Sequence, residues 1–328
     1  MRYYDLTITN ASGATVGHIT SHPNGLQKPP DPGALDMEFD VLVYDYAKPS
    51  GGSSITIYGV GLGALSQAQQ FAGMTVALKG GMGKGLPLAN PAQAGLLLAG
   101  NIFQSFGNWV GTQMTLDMVI NPSTYTYDAP GIFVLNWPAG TPLATAIAQM
   151  LTAAYPKAKQ VIQISSALVL PNSEWHYCNT LTQMASYIQG ITAGMISPTY
   201  NGVSIWFQGG TFFVSDGTTL GSMVQIAFND LIGQPTWIDV NVIQFKTVMR
   251  ADIQMGQIVK MPTGLQNQPG VVTTTGQSQP SNSKYAATFQ GQFTVTSVRH
   301  VGNFRSTDSA QWASIFTATP PIAPSNAG

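Results

Sequence analysis

Residues 36–46 read DMEFDVLVYDY, and this stretch decides the fold class. Met37, Phe39, Val41 and Val43 alternate with Asp36, Glu38 and Asp40. A period of two places the apolar side chains on one face of a strand and the carboxylates on the other. The apolar face predicts a sheet over a core. The acidic face is expected to meet solvent or a partner.

Working outward, strands are predicted at 4–9, 54–58, 74–78, 95–106 and 112–120, with loop at 23–32 and a turn at 48–53 (KPSGGS). Residues 62–71 read as a short helix striped by Leu62, Leu65 and Ala68. The period then changes. After a strand at 131–135, Thr141 as N-cap and Pro142 in the first turn start a helix carrying Leu143, Ile147, Met150 and Leu151. A strand at 161–164 precedes a second helix from about 179, with Leu181, Met184, Ala185, Ile188 and Ile191 on one stripe. Residues 203–207 and 211–214, joined by Gln208-Gly209-Gly210, form a hairpin. Strands return at 223–228, 238–248, 258–261 and 288–300. Residues 310–317 add a strand or short helix. Between them, 264–284 is polar and rich in Gly and Pro, a long loop. The fold class is α+β, predominantly β: a β-rich block (1–125), a small α/β unit (126–216), a second β-rich block (217–320) and a tail (321–328). No direct repeat relates the two blocks.

The composition points to assembly. The 328 residues hold 13 Lys+Arg and 14 Asp+Glu, 8% charged, where a soluble domain averages about 25%. A folded monomer of this size exposes on the order of 13,000 Å², about one charge per 480 Å². Either Gln, Asn, Ser and Thr solvate that surface, or other subunits cover much of it. With a net charge of −1 and no basic run, neither a phosphate backbone nor an acidic membrane surface is an expected partner. The N-terminus does not read as a signal peptide, and no 18-residue apolar run occurs.

Catalytic motifs are not found. Gly59-Val60-Gly61-Leu62-Gly63 departs from dinucleotide spacing. Residues 80–85 (GGMGKG) lack the Lys-Ser/Thr pair of a phosphate loop and read as a hairpin tip. His18 and His22 fall in a Gly/Pro-flanked stretch with no HEXXH, and read as a surface-loop pair. His176 and Cys178 are too few for zinc; Cys178 reads as a half-buried thiol before a helix, and His300 as a hydrogen-bonded structural residue. Glu38 and Glu174 are the only glutamates, so a glycosidase carboxylate pair finds little support. Asp36, Glu38 and Asp40 could offer calcium ligands but read as a polar face. No catalytic, metal or cofactor residue is assigned, and partner-binding residues are left open.

Four segments, in order, carry a resemblance. Residues 80–89 (GGMGKGLPLA) with 101–120 (NIFQSFGNWVGTQMTLDMVI), 141–155 with 161–164, 231–261 (LIGQPTWIDVNVIQFKTVMRADIQMGQIVKM), and 292–312 (QFTVTSVRHVGNFRSTDSAQW) resemble the central baseplate hub protein of contractile-tailed phages. The resemblance implies two tail-tube-like β-barrels flanking the small α/β unit. It also implies a homotrimer whose six barrels form a pseudo-sixfold ring between the tail tube and the threefold central spike, among neighbouring baseplate proteins. It supplies no catalytic residues. A tail-tube or adaptor subunit, a glycan-binding or glycan-degrading tail protein, and a tailocin or secretion-system component are the alternatives.

Overall fold

A computed structural model describes residues 1–48, 52–85, 90–121, 131–198, 200–218, 222–239, 241–262 and 291–321. The chain divides into two compact units. The first combines Met1–Leu42, Gly51–Thr124 and Ser222–Pro320; the second combines Val43–Ser50, Tyr125–Gly221 and Pro321–Gly328. The first unit begins with β1 (Arg2–Thr9), β2 (Thr15–Thr20), β3 (Asp36–Val43), β4 (Ser53–Tyr58), β5 (Thr75–Met82), β6 (Gly95–Val110) and β7 (Gln113–Asn121). The second unit holds β8 (Phe133–Trp137), β9 (Lys159–Gln163), β10 (Glu174–Cys178), β11 (Ser204–Gln208) and β12 (Thr211–Ser215). The chain then returns to the first unit with β13 (Met223–Gln225), β14 (Thr236–Asp239), β15 (Val242–Val248), β16 (Ile258–Lys260), β17 (Gln292–Asn303) and β18 (Trp312–Thr319). The protein is predominantly β, as the alternation predicts.

In the first unit the strands of both β-rich blocks join one 13-stranded sheet. Its order is β14-β15-β18-β17-β3-β4-β7-β6-β5-β1-β2, with β16 also on β17 and β13 on β16. The junction is β3, paired with β4 from its own block and with β17 from the other. Met37, Phe39 and Val41 are buried in a core with Leu6, Ile55, Ile57, Leu78 and Met118. Met249 and Trp312, from the C-terminal block, belong to the same core. Trp312 meets Phe39 edge-on with ring centroids 5.3 Å apart, and its indole N–H donates to the Gly81 carbonyl at 2.9 Å. Phe39 also lies so close to β17 that a Cβ at Gly302 would collide with its ring.

The polar face of β3 stays partly open to solvent, as expected, and also engages the chain's own second block. Arg299 donates to both Asp40 oxygens, at 2.8 and 2.5 Å. Glu38 accepts from Asn303 and, at 2.8 Å, from the Tyr58 hydroxyl. Asp36 accepts the Arg305 backbone N–H at 3.2 Å. Arg2 reinforces the joint: its guanidinium donates to the carbonyls of Asn303, Phe304, Ser306 and Asp308 and stands 5.7 Å over the Trp312 ring.

Local differences have local causes. The strand predicted at 238–248 divides into β14 and β15 around Asn241, whose φ of 64° reverses the chain. Gly80 and Gly81 lie inside β5, not at a hairpin tip, because strands crowd there: a Cβ on either would stand 2.5 Å from Leu97 or Ala94. Residues 62–71 split into α1 (Leu62–Ser66) and a 3-10 turn, Ala68–Phe71. Strands β2 and β10 are not among the predicted strands. The predicted loop at 264–284, residues 49–51 of the predicted turn and residues 322–328 lie outside the described residues.

The second unit packs α2 (Leu143–Ala154) and α3 (Leu181–Thr192) around Leu135, Trp137, Ile147, Met184, Ile188 and Phe212. The cap of α2 moves by one residue. Pro142 is the N-cap, and the Leu143 N–H is satisfied by the Leu168 carbonyl at 2.9 Å rather than by the Thr141 hydroxyl. Thr180 does cap α3, accepting from the Gln183 N–H at 3.2 Å. The predicted hairpin forms between β11 and β12, with Gly209 and Gly210 at φ 59° and 82°, and β9 adds in parallel.

Gly302→Ala is expected to destabilise the protein by about 1–3 kcal/mol through overpacking against Phe39. Urea unfolding measures it, and adding Phe39→Leu should recover part of the loss.

Candidate interaction surfaces

The structure disperses the residues singled out for chemistry. His18 lies on β2 and pairs with Asp5 at 3.0 Å. His22 is not a surface-loop residue: it is buried, with Nδ1 2.9 Å from the Ser21 hydroxyl and its ring edge-on to Tyr3. Burial, then the N-terminal ammonium, lowers its pKa. Glu174, His176 and Cys178 share the inner face of β10. There His176 stacks on Tyr187 at 3.5 Å, and the Tyr187 hydroxyl donates to Glu174 at 2.5 Å. Cys178 is half-buried just before α3, and burial raises its pKa. Among the described residues no three His, Cys, Asp or Glu side chains gather as metal ligands. Nor is any described helix long and apolar enough to cross a membrane.

The arginines and most of the described carboxylates hold the chain to itself. Buried Arg250 forms a fork on Asp252 at 2.7 and 2.6 Å and reaches Asp230 at 3.0 Å. Its neighbour Ala251 donates its N–H to the Gln93 carbonyl of the N-terminal block at 2.8 Å. Removing one side of a buried pair leaves uncompensated charge, whereas an exposed pair is screened by water. Arg250→Ala should therefore cost about 3 kcal/mol. Arg299→Ala, whose pair with Asp40 is half-exposed, should cost under about 1 kcal/mol in the same chemical-denaturation assay.

His300 is fully buried in β17, with Nδ1 2.8 Å from the Ser314 hydroxyl, which in turn donates to the Arg250 carbonyl at 3.0 Å. It is a structural residue, as its sequence setting suggested. Burial keeps the imidazole neutral and pushes its pKa down from 6.5 to about 3. The unfolded chain therefore binds a proton that the folded chain refuses. Stability from this group is complete above pH about 6.5 and is lost as pH falls toward 3. Between pH 8 and pH 5 the wild type should lose about 2 kcal/mol more than His300→Gln, read from urea midpoints at the two pH values.

Two aromatic-bearing apolar surfaces stand exposed among the described residues. Among the described residues of the second unit, β8 and β10 pair only with each other. Their inner face buries Phe133, Leu135 and Trp137, while the outer face presents Val134, Trp175 and Tyr177. Tyr177 stands opposite Val134 and Trp175 opposite Asn136. In the first unit, β6 outruns β5, whose last register pair is Thr75 with Asn101. The remaining β6–β7 hairpin exposes Phe103, Phe106, Trp109 and Val110. Composition anticipated a contact-rich surface, but neither patch was identified from sequence. Alternation around Trp175 and Tyr177 was the available signal.

No protein-family model matches the sequence, and no curated protein is detectably similar to it. Solved structures are similar in fold. The 43 kDa tail protein of prophage MuSo2 from Shewanella oneidensis superposes with TM-score 0.53 at 7% identity, covering 98% of this chain and 97% of that one. The tail protein from Neisseria meningitidis MC58 gives 0.52 at 9%, covering 97% and 96%. The Escherichia coli c3393 protein gives 0.51 at 11%, covering 88% and 74%. It is described as a type VI secretion component similar to the T4 phage tail proteins gp27 and gp5.

Proposed function

We propose, from a fold shared with phage tail proteins over nearly the whole chain, that this protein is a structural subunit of a contractile phage tail. More specifically, we read it as the baseplate hub. In this reading residues 1–125 and 217–320 are two tail-tube-like barrels, and 126–216 is the α/β unit between them. Three copies make a pseudo-sixfold ring that meets the sixfold tube on one side and the threefold central spike on the other, inside the virion baseplate.

The observation that carries the reading is the match with two tail proteins that covers nearly all of this chain and of each of theirs. Two further features support it. A 13-stranded sheet built from both blocks supplies more than one barrel's worth of strands, which disfavours a single-barrel tube or adaptor subunit. All four arginines and most of the described carboxylates are committed to internal contacts, which suits a surface covered by neighbours. A glycan-degrading protein needs two carboxylates in a cleft. The exposed aromatic face at Trp175 has Glu174 turned inward to Tyr187, so no carboxylate pair accompanies it. The role is therefore read as non-enzymatic.

The purified full chain should be a trimer by light scattering and sedimentation, and ring-shaped in electron micrographs. A concentration-independent monomer that turns over a glycan substrate would sink this function.

A further inference from the structure

We propose that copies of this chain associate by seating the end of the β6–β7 hairpin of one copy on the outer β8–β10 face of the next. The inference rests on the assembly reading above and names the surfaces that carry it.

Trp175 and Tyr177 are 71% and 75% exposed, on a two-stranded sheet whose other face is already committed to the core. Trp109 and Val110, at the hairpin end, are 62% and 76% exposed. The Trp109 indole N–H is satisfied within the turn by the Gly111 carbonyl at 2.8 Å, so its ring can be covered without stranding a donor. The outer β8–β10 face carries no charge, and on the hairpin the Asp117 carboxylate is already held by the Asn108 amide at 2.7 Å and the Thr115 hydroxyl at 3.0 Å. Residues 85–116, 131–156 and 175–215 contain no Asp, Glu, Lys or Arg. Burying the two surfaces against each other strands no unpaired ion, while a polyanion or an acidic membrane finds no cation there to pair with.

Symmetry and area select a second copy as the occupant. A closed ring of identical subunits uses heterologous contacts, so each copy must offer two different complementary faces. Among the described residues, each of this chain's units offers an aromatic apolar surface of this kind. With aromatic side chains contributing about 150–250 Å² each, these four residues supply roughly 500–600 Å² of apolar contact. That is near half of the roughly 1,200 Å² at the lower end of stable interfaces, in the aromatic composition of an interface centre. Polar side chains around both surfaces supply the rim.

The test uses the full chain and compares wild type, Trp175→Glu, Trp109→Glu and the double variant Trp175→Lys/Trp109→Glu by sedimentation across a concentration series. Thermal melts establish that each variant is folded. Each single variant is expected to weaken association by about tenfold or more, and the double variant to regain most of it, because opposite charges then meet across copies. A wild-type trimer that neither single variant weakens overturns this contact while leaving the assembly reading standing. Disruption by Trp175→Glu alone overturns the hairpin partner in favour of face-to-face pairing. A wild-type chain that is monomeric throughout removes the assembly reading and this inference together. Trp175-dependent binding of a chito-oligosaccharide by that monomer would reassign the face to glycans.

Discussion

The architecture of the first unit hangs on how closely β17 can approach β3. Phe39 fills the space over Gly302, and only a residue without a Cβ lets the two backbones pair there. Once they pair, strands contributed by residues separated by more than 250 positions become neighbours in one sheet. Trp312 and Met249 then close a core begun by Leu6, Met37 and Ile57. Long-range pairing of this kind has a high entropic cost of loop closure. Dense packing and charge-assisted hydrogen bonds along the junction offset it.

The same junction shows where the scarce charges go. The sequence has four arginines, Arg2, Arg250, Arg299 and Arg305, and all four bind carbonyl or carboxylate oxygens of the chain's own first unit. Guanidinium suits this work because its fixed fork satisfies several acceptors at once. Arginines committed internally do not solvate the exterior. Uncharged stretches with exposed aromatics are left facing outward, and such surfaces are characteristic of proteins that finish their burial in an assembly. Poor charge density and an arginine-bound seam are thus two views of one allocation.

Much of this was legible because period and burial are linked locally. The alternation at Met37, Phe39, Val41 and Val43, the helical stripes of α2 and α3, and the Gly209-Gly210 turn are each set by neighbours within a few residues. Errors arose where a contact distant in sequence decided the matter. Leu168 displaced Thr141 from capping α2. Tight approach of Leu97 and Ala94 put Gly80 and Gly81 inside a strand. His22 was buried by the elements packed around it, although its flanking residues suggested a surface loop.

By itself the sequence determined that the chain is β-rich at both ends with a helical unit between, that it is poor in charge, and that its polar residues do not assemble into a known catalytic motif. These follow from composition and from periods of two and 3.6, which need no tertiary information. The tertiary structure alone decided that the acidic face of β3 binds residues of the chain's other β-rich block, that both blocks share one sheet, and that Trp175, Tyr177, Trp109 and Val110 stay outside. Alternation says which residues share a face. Only packing says whether that face is covered, because coverage depends on strands and side chains hundreds of residues away.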